Sequence, residues 1–384
     1  MIERSKVQAR LKDYPLPPVV GAVASHSALD TFDGAASEGF RTLAICQRGR
    51  EKTYSQYYRA FRDVTGNLLK GCVDTSMVLD KFDELLKEEM QERLRQAGVL
   101  LVPNRALSSY LAIDALEDQL HLPILGSRAM LRIEERSERE NYYTLLDRAQ
   151  IPTPHPIADV KQIEGLTIVK LPHAQKRLER GFFTCASHAE FLKKSAALLA
   201  QGTVTQGDLD RARVEQYILG PVFNFNFFLS PLAPRLERLE LLGVDERRES
   251  SLDGMVRLPA EQQLALPDIA RIPEYTVVGH GSLTVRESLL EEVFKIGEKF
   301  VDAARERYPP GIIGPFCLQT CIDHDGKLFV FDVAARLGGG TNIHMALGHP
   351  YGNTLWRVPM SSGRRMAFEL RRALDEGRLE ELVT

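Results

Sequence analysis

The sequence predicts two lobes, an α/β lobe built on a doubly wound parallel sheet and then an α+β lobe. At 384 residues the chain is longer than one hydrophobic core usually organises. Short apolar runs alternate with helical patterns in the first third of the chain, whereas strand patterns dominate beyond residue 156. Between them, residues 151–156 carry three prolines and indicate a boundary or hinge.

A strand–helix–strand unit opens the first lobe. Residues 18–24 are an apolar run that begins at a proline, residues 28–39 carry apolar side chains at helical spacing, and residues 41–46 are again apolar. Such a compact unit predicts neighbouring parallel strands in a doubly wound sheet. The pattern continues with strands at 76–79 and 98–103, an amphipathic helix at 82–96 and a charged helix at 128–148.

In the second lobe the sequence predicts strands at 166–170, 214–218, 222–229, 314–319 and 327–332, and helices at 190–200 and 289–307. We assign residues 1–125 to an N-terminal domain and residues 126–384 to a second region. That region divides into a small part at about 155–220 and a C-terminal part at about 221–384.

Composition argues for a protein that handles small molecules. There are 49 Lys and Arg against 52 Asp and Glu, a net charge of −3, so no global field favours nucleic acid or an anionic membrane. No stretch approaches the roughly 20 apolar residues of a membrane helix. The five cysteines are scattered without the spacing of a zinc site, which favours buried thiols in a reducing compartment. We therefore expect a cytoplasmic protein.

The strongest candidate site lies in a hairpin near the C-terminus. Gln319 and Asp332 fall near opposite positions on its two strands, so one oxygen from each could bind a magnesium or manganese ion. Arg336 follows with a planar cation suited to phosphoryl oxygens. Residues 338–342, which include Thr341 and Asn342, add a glycine loop whose backbone N–H groups can approach an anion. The alternative is an ordinary hairpin with an edge carboxylate and a glycine loop.

Two further segments fit nucleotide binding. Lys170 ends a strand beside the charged loop 171–181, where Lys176 and Arg177 either hold phosphates or are simply solvated. Glu215 lies on a strand that continues through Tyr217 to a glycine turn. Its carboxylate and the following backbone offer the acceptor and donor that an adenine edge needs, but an edge strand with a solvated glutamate fits equally well.

A third candidate site lies at the end of the first strand. His26 stands there between two serines, at the edge of the sheet where open α/β folds bind their ligands. At the start of a helix, His26 and Ser27 could bind a phosphate or a polar ring. A capping or surface histidine is the alternative.

Several blocks together resemble the formate-dependent FAICAR synthetases, a family of the ATP-grasp superfamily. The resemblance runs over nearly the whole chain. It is carried by residues 25–29 (SHSAL), 241–250 (LLGVDERRES), 253–259 (DGMVRLP), 286–290 (RESLL), 310–319 (PGIIGPFCLQ), 335–336 (AR) and 340–342 (GTN).

The resemblance implies an ATP-grasp fold behind a parallel-sheet domain, and a homo-oligomer. It implies that ATP phosphorylates formate and that the amine of aminoimidazole carboxamide ribonucleotide (AICAR) attacks the resulting formyl phosphate. The implied catalytic residues are Lys170 and Arg336, and the implied metal ligands are Gln319 and Asp332. ATP would be bound by Lys170, Lys176, Arg177, Glu215 and Tyr217, and the ribonucleotide by His26, Ser27, Ser251, Thr341 and Asn342.

The chain departs from the family pattern at a few positions. Asp332 stands where the family usually has Glu, and residues 175–179 replace a glycine-rich phosphate loop. Ala106 and Ser251 replace a serine and an asparagine that contact the substrate in the family. These changes keep two alternatives open: a divergent ATP-grasp ligase that joins another carboxylate or amine, and a nucleotide-binding protein without ligase activity.

Overall fold

The computed structural model describes residues 2–172, 182–266 and 276–384. Its N-terminal part contains strands β1 (Val19–Val23), β2 (Arg41–Gln47), β3 (Phe61–Arg62), β4 (Leu68–Lys70), β5 (Thr75–Leu79) and β6 (Val99–Leu101). The helices of this part are α1 (Arg4–Leu11), α2 (Ala28–Ser37), α3 (Glu88–Gln96), α4 (Arg105–Tyr110), α5 (Ile113–Asp118) and α6 (Tyr142–Arg148).

A parallel sheet organises this part, in the strand order β5-β2-β1-β6. Strands β1, β2 and β6 are mostly apolar and buried, as expected when helices cover both faces of a sheet, and the edge strand β5 is only partly buried. The predicted strand–helix–strand unit is confirmed, and so is the parallel pairing of its strands. Strands β3 and β4 form a separate two-stranded hairpin that the sequence did not predict.

Two antiparallel sheets form the remainder. The small sheet, in the order β8-β7-β9, contains β7 (Glu164–Lys170), β8 (Phe182–Ser187) and β9 (Arg213–Gln216) beside helices α7 (His188–Ala200) and α8 (Gln206–Asp210). The large sheet, in the order β12-β11-β10-β13-β14, contains β10 (Val222–Leu229), β11 (Leu239–Glu249), β12 (Val277–Ser282), β13 (Gly314–Ile322) and β14 (Leu328–Ala334). The other helices are α9 (Ser250–Met255), α10 (Ala260–Ala265), α11 (Glu287–Arg307), α12 (Pro350–Trp356) and α13 (Ser362–Asp375).

The C-terminal helix α13 joins the large sheet to the parallel sheet. One apolar core contains Val20 and Leu100 from the parallel sheet, Phe228 and Leu242 from the large sheet, and Leu370 from α13. The chain end completes this union, since Ile124 and Thr384 exchange backbone hydrogen bonds. Residues far apart in sequence are therefore held in one body around the edge where the candidate site residues lie.

The prediction of one charged helix over residues 128–148 is wrong. Helix α6 begins only at Tyr142, and a short 3₁₀ turn, Arg132–Glu134, precedes it. Tertiary contacts explain the difference. Arg128 is buried and its guanidinium donates to the carbonyl oxygens of Leu116, Leu120, Leu122 and Thr384 at 2.6 to 3.2 Å. These charges serve buried contacts rather than a solvated helix face, and periodicity does not distinguish the two.

The helix predicted at 82–96 is interrupted, since a 3₁₀ turn at Phe82–Leu86 precedes α3. The strand predicted at 214–218 ends at Gln216. Among the described residues, the structure contains no helix with the length and hydropathy that crossing a membrane requires.

Candidate active site

The hairpin of β13 and β14 brings the two predicted metal ligands together. Gln319 and Asp332 are directly paired across the strands, and the register shifts just after Gln319. Burial raises the pKa of Asp332, but the fields of Arg136, Arg247, Lys170 and Arg105 outweigh it, so the pKa lies below the usual value. Asp332 is therefore an anionic oxygen ligand at neutral pH.

The donor set fits a hard divalent cation. It consists of the Gln319 amide oxygen and the Asp332 carboxylate, and magnesium is commonly bound through one or two carboxylates plus substrate phosphates. Arg247 on β11 donates a hydrogen bond to Gln319 Oε1. The amide oxygen has two lone pairs, so this hydrogen bond leaves one of them for a cation.

Lys170 ends β7 in a buried polar cluster. Its Nζ donates to the hydroxyl of Tyr143 at 2.8 Å and to the carbonyl oxygen of Phe331 at 3.0 Å, and it forms an ion pair with Glu215. Burial lowers the pKa of Lys170, and the carboxylate of Glu215 partly offsets this. Because Phe331 precedes Asp332, the contact places the lysine beside the hairpin of β13 and β14.

Glu215 on β9 is engaged by protein groups on both carboxylate oxygens. Oε1 pairs with Lys170, while Oε2 accepts from the Tyr143 hydroxyl at 3.1 Å and from Arg213 Nε at 2.9 Å. Only 1% of its surface is exposed. In this structure Glu215 holds Lys170, and its contact with an adenine edge stays a prediction. Tyr217, just beyond β9, donates its backbone N–H to Leu166 O.

Arg336 is fixed by a partner that the sequence did not reveal. Its Nη2 donates to Glu134 Oε2 at 2.9 Å, and the other oxygen of Glu134 accepts from the backbone N–H of Ala335. Arg336 and Glu134 are both largely buried. Arg105, at the start of α4 after the parallel strand β6, lies 3.8 Å from the same carboxylate. The N-terminal domain thus contributes a cation, Arg105, next to the ion pair of Arg336 and Glu134.

Four of the five predicted substrate residues, all but Ser251, meet at the junction of the two lobes. His26 has a φ of +47° in the turn between β1 and α2, and its carbonyl oxygen accepts from Asn342 Nδ2 at 3.1 Å. The side-chain oxygen of Asn342 accepts from the N–H of Asp30 at 3.0 Å. The hydroxyl of Ser27 donates to Gly338 O, and Thr341 is fully buried nearby. These contacts dock the glycine loop onto the parallel sheet.

A narrow cleft lies between this loop and the large sheet. Its residues come from β10, β11, β12, the hairpin and the glycine loop: Asn224, Asn226, Asp245, Arg247, His280, Cys317, Gln319, Ala334, Gly338, Gly339 and Gly340. Sequence reasoning missed Asn224, Asn226 and Asp245. A sequence pattern could have identified the two asparagines. They stand at i and i+2, which puts both amides on one face of a strand whose other residues are apolar.

Four residues singled out in the sequence lie apart from these groups. Lys176 and Arg177 lie outside the described residues. Ser251 lies in α9, directly after β11. Ala106 is completely buried in the core of the parallel sheet, so its side chain faces no ligand. The exposed cation at this edge is its neighbour Arg105, whose side chain is 45% exposed.

Known proteins resemble this chain over nearly its full length. Two family models match, a protein of unknown function, DUF1246, over residues 20–157 and a domain of unknown function, DUF1297, over residues 190–384. A Methanobrevibacter smithii protein named 5-formaminoimidazole-4-carboxamide-1-(beta)-D-ribofuranosyl 5'-monophosphate synthetase is 36% identical over 365 residues, which is 95% of this chain and 94% of that protein.

Solved structures agree with these matches. The IMP biosynthesis protein PurP from Thermococcus kodakaraensis superposes with a TM-score of 0.69 at 30% identity, covering 95% of this chain and 100% of that one. A biotin carboxylase from Campylobacter jejuni superposes with a TM-score of 0.57 at 11% identity, over 92% of this chain and 70% of that one, which bears on the fold alone. The chain therefore has the ATP-grasp fold and belongs to the 5-formaminoimidazole-4-carboxamide-1-(beta)-D-ribofuranosyl 5'-monophosphate synthetase family.

Proposed function

We propose that this protein joins formate to the amine of AICAR and splits ATP to ADP and phosphate, yielding the formylated ribonucleotide FAICAR for purine biosynthesis. One observation carries the proposal. The paired Gln319 and Asp332 lie beside Lys170, which a buried carboxylate fixes, and Arg336 follows Asp332 by four residues and is held by a second buried carboxylate. That arrangement suits transfer of a phosphoryl group, and the chain belongs to a family named for making FAICAR.

The reaction has two steps. A formate oxygen attacks the γ-phosphorus of ATP, the bond to ADP breaks, and formyl phosphate forms. The AICAR amine then attacks the carbonyl carbon, the carbon–oxygen bond to phosphate breaks, and the amine gives up a proton. In both steps negative charge builds up on phosphate oxygens, so fixed cations lower the barrier.

The cations near Asp332 come from several elements. Lys170 is held on the small sheet, Arg247 on the large sheet and Arg105 on the N-terminal domain, and the fields of all three reach Asp332. Arg336 is oriented by Glu134. Because Glu134 and Glu215 fix Arg336 and Lys170 in advance, these two need little reorganisation as charge develops.

Gln319 and Asp332 are the residues that would hold a magnesium or manganese ion. A bound ion would neutralise charge on the ATP phosphates and help align them. Lys176, Arg177 and Tyr217 complete the proposed ATP site, and Glu215 contributes to it by holding Lys170.

The ribonucleotide would lie where the parallel sheet meets the glycine loop. His26, Ser27, Thr341 and Asn342 are brought together there, and Ser251 follows the strand that carries Arg247. Cytoplasmic location, homo-oligomeric assembly and the domain boundaries at 125 and 220 remain predictions of the same proposal.

A related ligase with another amine is the second candidate, favoured by one observation. Ala106 is fully buried, so the ligand contact that the family resemblance implied there is absent from this chain. The two candidates are separated by measuring ADP release with formate and a panel of amines that includes AICAR. AICAR should be the best amine, and a better one would move the assignment to this second candidate.

The purified protein should release ADP only when ATP, magnesium, formate and AICAR are all present. Omitting each component in turn is the control, and FAICAR is identified by mass spectrometry. Release that ignores formate or AICAR would contradict the proposal. Binding of ATP without turnover under any substrate pair would identify a nucleotide-binding protein instead.

A further inference from the structure

Two buried asparagines flank a buried aspartate at the base of the cleft. Asn224 Nδ2 donates to Asp245 Oδ2 and Asn226 Nδ2 donates to Asp245 Oδ1, each at 2.7 Å. An ionised carboxylate only accepts hydrogen bonds, so these contacts fix which end of each amide faces it. Both Oδ1 atoms therefore point away from Asp245. Within the described ranges neither Oδ1 has a hydrogen-bond partner.

The two unpaired Oδ1 atoms lower the stability of the folded protein when no ligand is bound. A buried carbonyl oxygen without a partner costs about 1–3 kcal/mol. Asp245 is completely buried, and burial raises its pKa to about 6. Buried polar groups are normally satisfied, and exceptions point to a ligand or a catalytic role. The three residues line a cleft that also contains Gln319 and Arg247 of the phosphoryl-transfer site.

The chemistry of the cleft selects its ligand. Two carbonyl acceptors beside a carboxylate suit an uncharged group that carries N–H donors, and they repel an anion. Formate and the phosphates of ATP bring negative charge and no donors. The AICAR ring carries an amine and a carboxamide on adjacent carbons, both with N–H donors.

We propose that Asn224, Asp245 and Asn226 recognise the amine-and-carboxamide edge of the ribonucleotide and so determine which amine this ligase accepts. The inference rests on the proposed function. The two Oδ1 atoms accept N–H groups of the substrate, and Asp245 holds both amides in the required orientation.

The glycine loop is shaped around these residues. A Cβ on Gly338 would lie 2.3 Å from Asn226 Oδ1, and a Cβ on Gly340 would lie 2.2 Å from Asp245 Oδ2. Glycine is therefore required at both positions for the loop to approach. Because the loop begins two residues after Arg336, the amine edge would lie close to the acyl phosphate that it attacks.

Asp245→Asn is the decisive variant. The substituted amide has the same shape and only one acceptor, so one neighbouring asparagine must turn and present N–H groups where it offered Oδ1. We expect the Kd for AICAR, measured by calorimetry, to rise at least about tenfold. The Kd for ATP and the KM for formate should stay within about twofold. The thermal midpoint should not fall, because a buried charge has been removed.

Gly338→Ala tests the same surface without changing the three residues. Its new methyl group presses on Asn226 Oδ1 and should also weaken AICAR selectively. Asp323→Asn, in the exposed turn between β13 and β14, is the matched control and should change none of these constants.

The outcomes separate this inference from the proposed function. An AICAR affinity in Asp245→Asn within about twofold of wild type overturns the inference, while normal wild-type turnover leaves the function intact. A selective rise in the KM for formate also overturns it, because the cleft would then take formate. Selective loss of AICAR binding without any formate-dependent turnover supports the cleft and contradicts the function. Wild-type protein that does not bind AICAR contradicts both.

Discussion

Asp332 is useful to this site because it stays charged. Four cations surround it, and their combined field holds its pKa below the usual value in spite of burial. The neighbouring cations are held in the same way, Arg336 by Glu134 and Lys170 by Glu215. The proposed site residues Asp332, Arg336 and Lys170 are thus each close to an opposite charge.

Asp332→Asn removes the charge and keeps the shape. We expect formate- and AICAR-dependent ADP release to fall at least about 100-fold, because an oxygen ligand of the phosphoryl-transfer site is weakened. Steady-state ADP release measures this, and an unchanged circular dichroism spectrum shows that the fold is intact. Asp323→Asn makes the same change in the turn of the same hairpin and should leave the rate within about twofold. An equal loss of ADP release in both variants would show that Asp332 has no specific role in the site.

Lys170 and Glu215 can be tested as a pair. Lys170→Met leaves the buried Glu215 carboxylate without its main partner and should lower the free energy of unfolding by about 3–5 kcal/mol. Adding Glu215→Gln removes the unpaired charge and should restore most of that stability, but not ADP release. Denaturant unfolding and the ADP assay together separate the two roles. A double variant with wild-type turnover would show that Lys170 is only structural.

At the scale of elements, the crossing of α2 and α13 fixes the two lobes together. A Cβ on Gly34 would lie 2.2 Å from Arg364 N, and a Cβ on Gly363 would lie 2.1 Å from Asp30 O. The two helices therefore touch backbone to backbone. The crossing lies next to Thr341 and Asn342, so it also positions the glycine loop.

Gly34→Ala should destabilise the protein by about 1–3 kcal/mol, because the methyl group has no room at this crossing. Gly207→Ala is the matched control. It makes the same change in helix α8, where the nearest atom to the new Cβ is 3.9 Å away. Chemical unfolding of both variants measures the difference. Equal stability would mean that the crossing can widen without cost.

Asp30, at the same crossing, predicts a dependence of stability on pH. Burial raises its pKa from 3.8 to about 6, partly offset by the hydroxyls of Ser361 and Thr341 and by the N–H of Gly363. The folded protein thus binds this proton more tightly than the unfolded chain. The ionised carboxylate destabilises the fold, an effect that is absent below about pH 4 and complete above about pH 6.

Asp30→Asn removes this titration. The variant should be more stable than wild type by about 1–3 kcal/mol near pH 7.5, and the difference should shrink to about a third of that near pH 4.5. Urea unfolding of both proteins across this range provides the measurement. A difference that does not change with pH would show that Asp30 titrates normally.

Elements with strong local patterns were predictable from the sequence, and those set by tertiary contacts were not. The buried parallel strands and the helix α11 follow apolar periodicity and were found. Strand β12 was missed because two glycines interrupt an exposed edge strand. The charged stretch at 128–148 was misassigned because Arg128 and Glu134 point into buried contacts that only the folded chain creates.

At the scale of the whole molecule, the candidate site is assembled from three of the sheets. The parallel sheet contributes His26 and Arg105, the small sheet Lys170, and the large sheet the hairpin with Gln319 and Asp332. Motif order and resemblance predicted most of these side chains. Their partners, Glu134 and Tyr143 among them, could not be predicted because pairing across sheets leaves no local pattern.

The central claim is that formate becomes an acyl phosphate on this site, and the fate of formate oxygen tests it most directly. With formate labelled by ¹⁸O at both oxygens, ATP, magnesium and AICAR, the account predicts that each phosphate released carries one ¹⁸O atom. The other labelled oxygen should remain in the formyl group of FAICAR. Unlabelled phosphate released together with ADP would mean that water attacks ATP, and it would contradict the account.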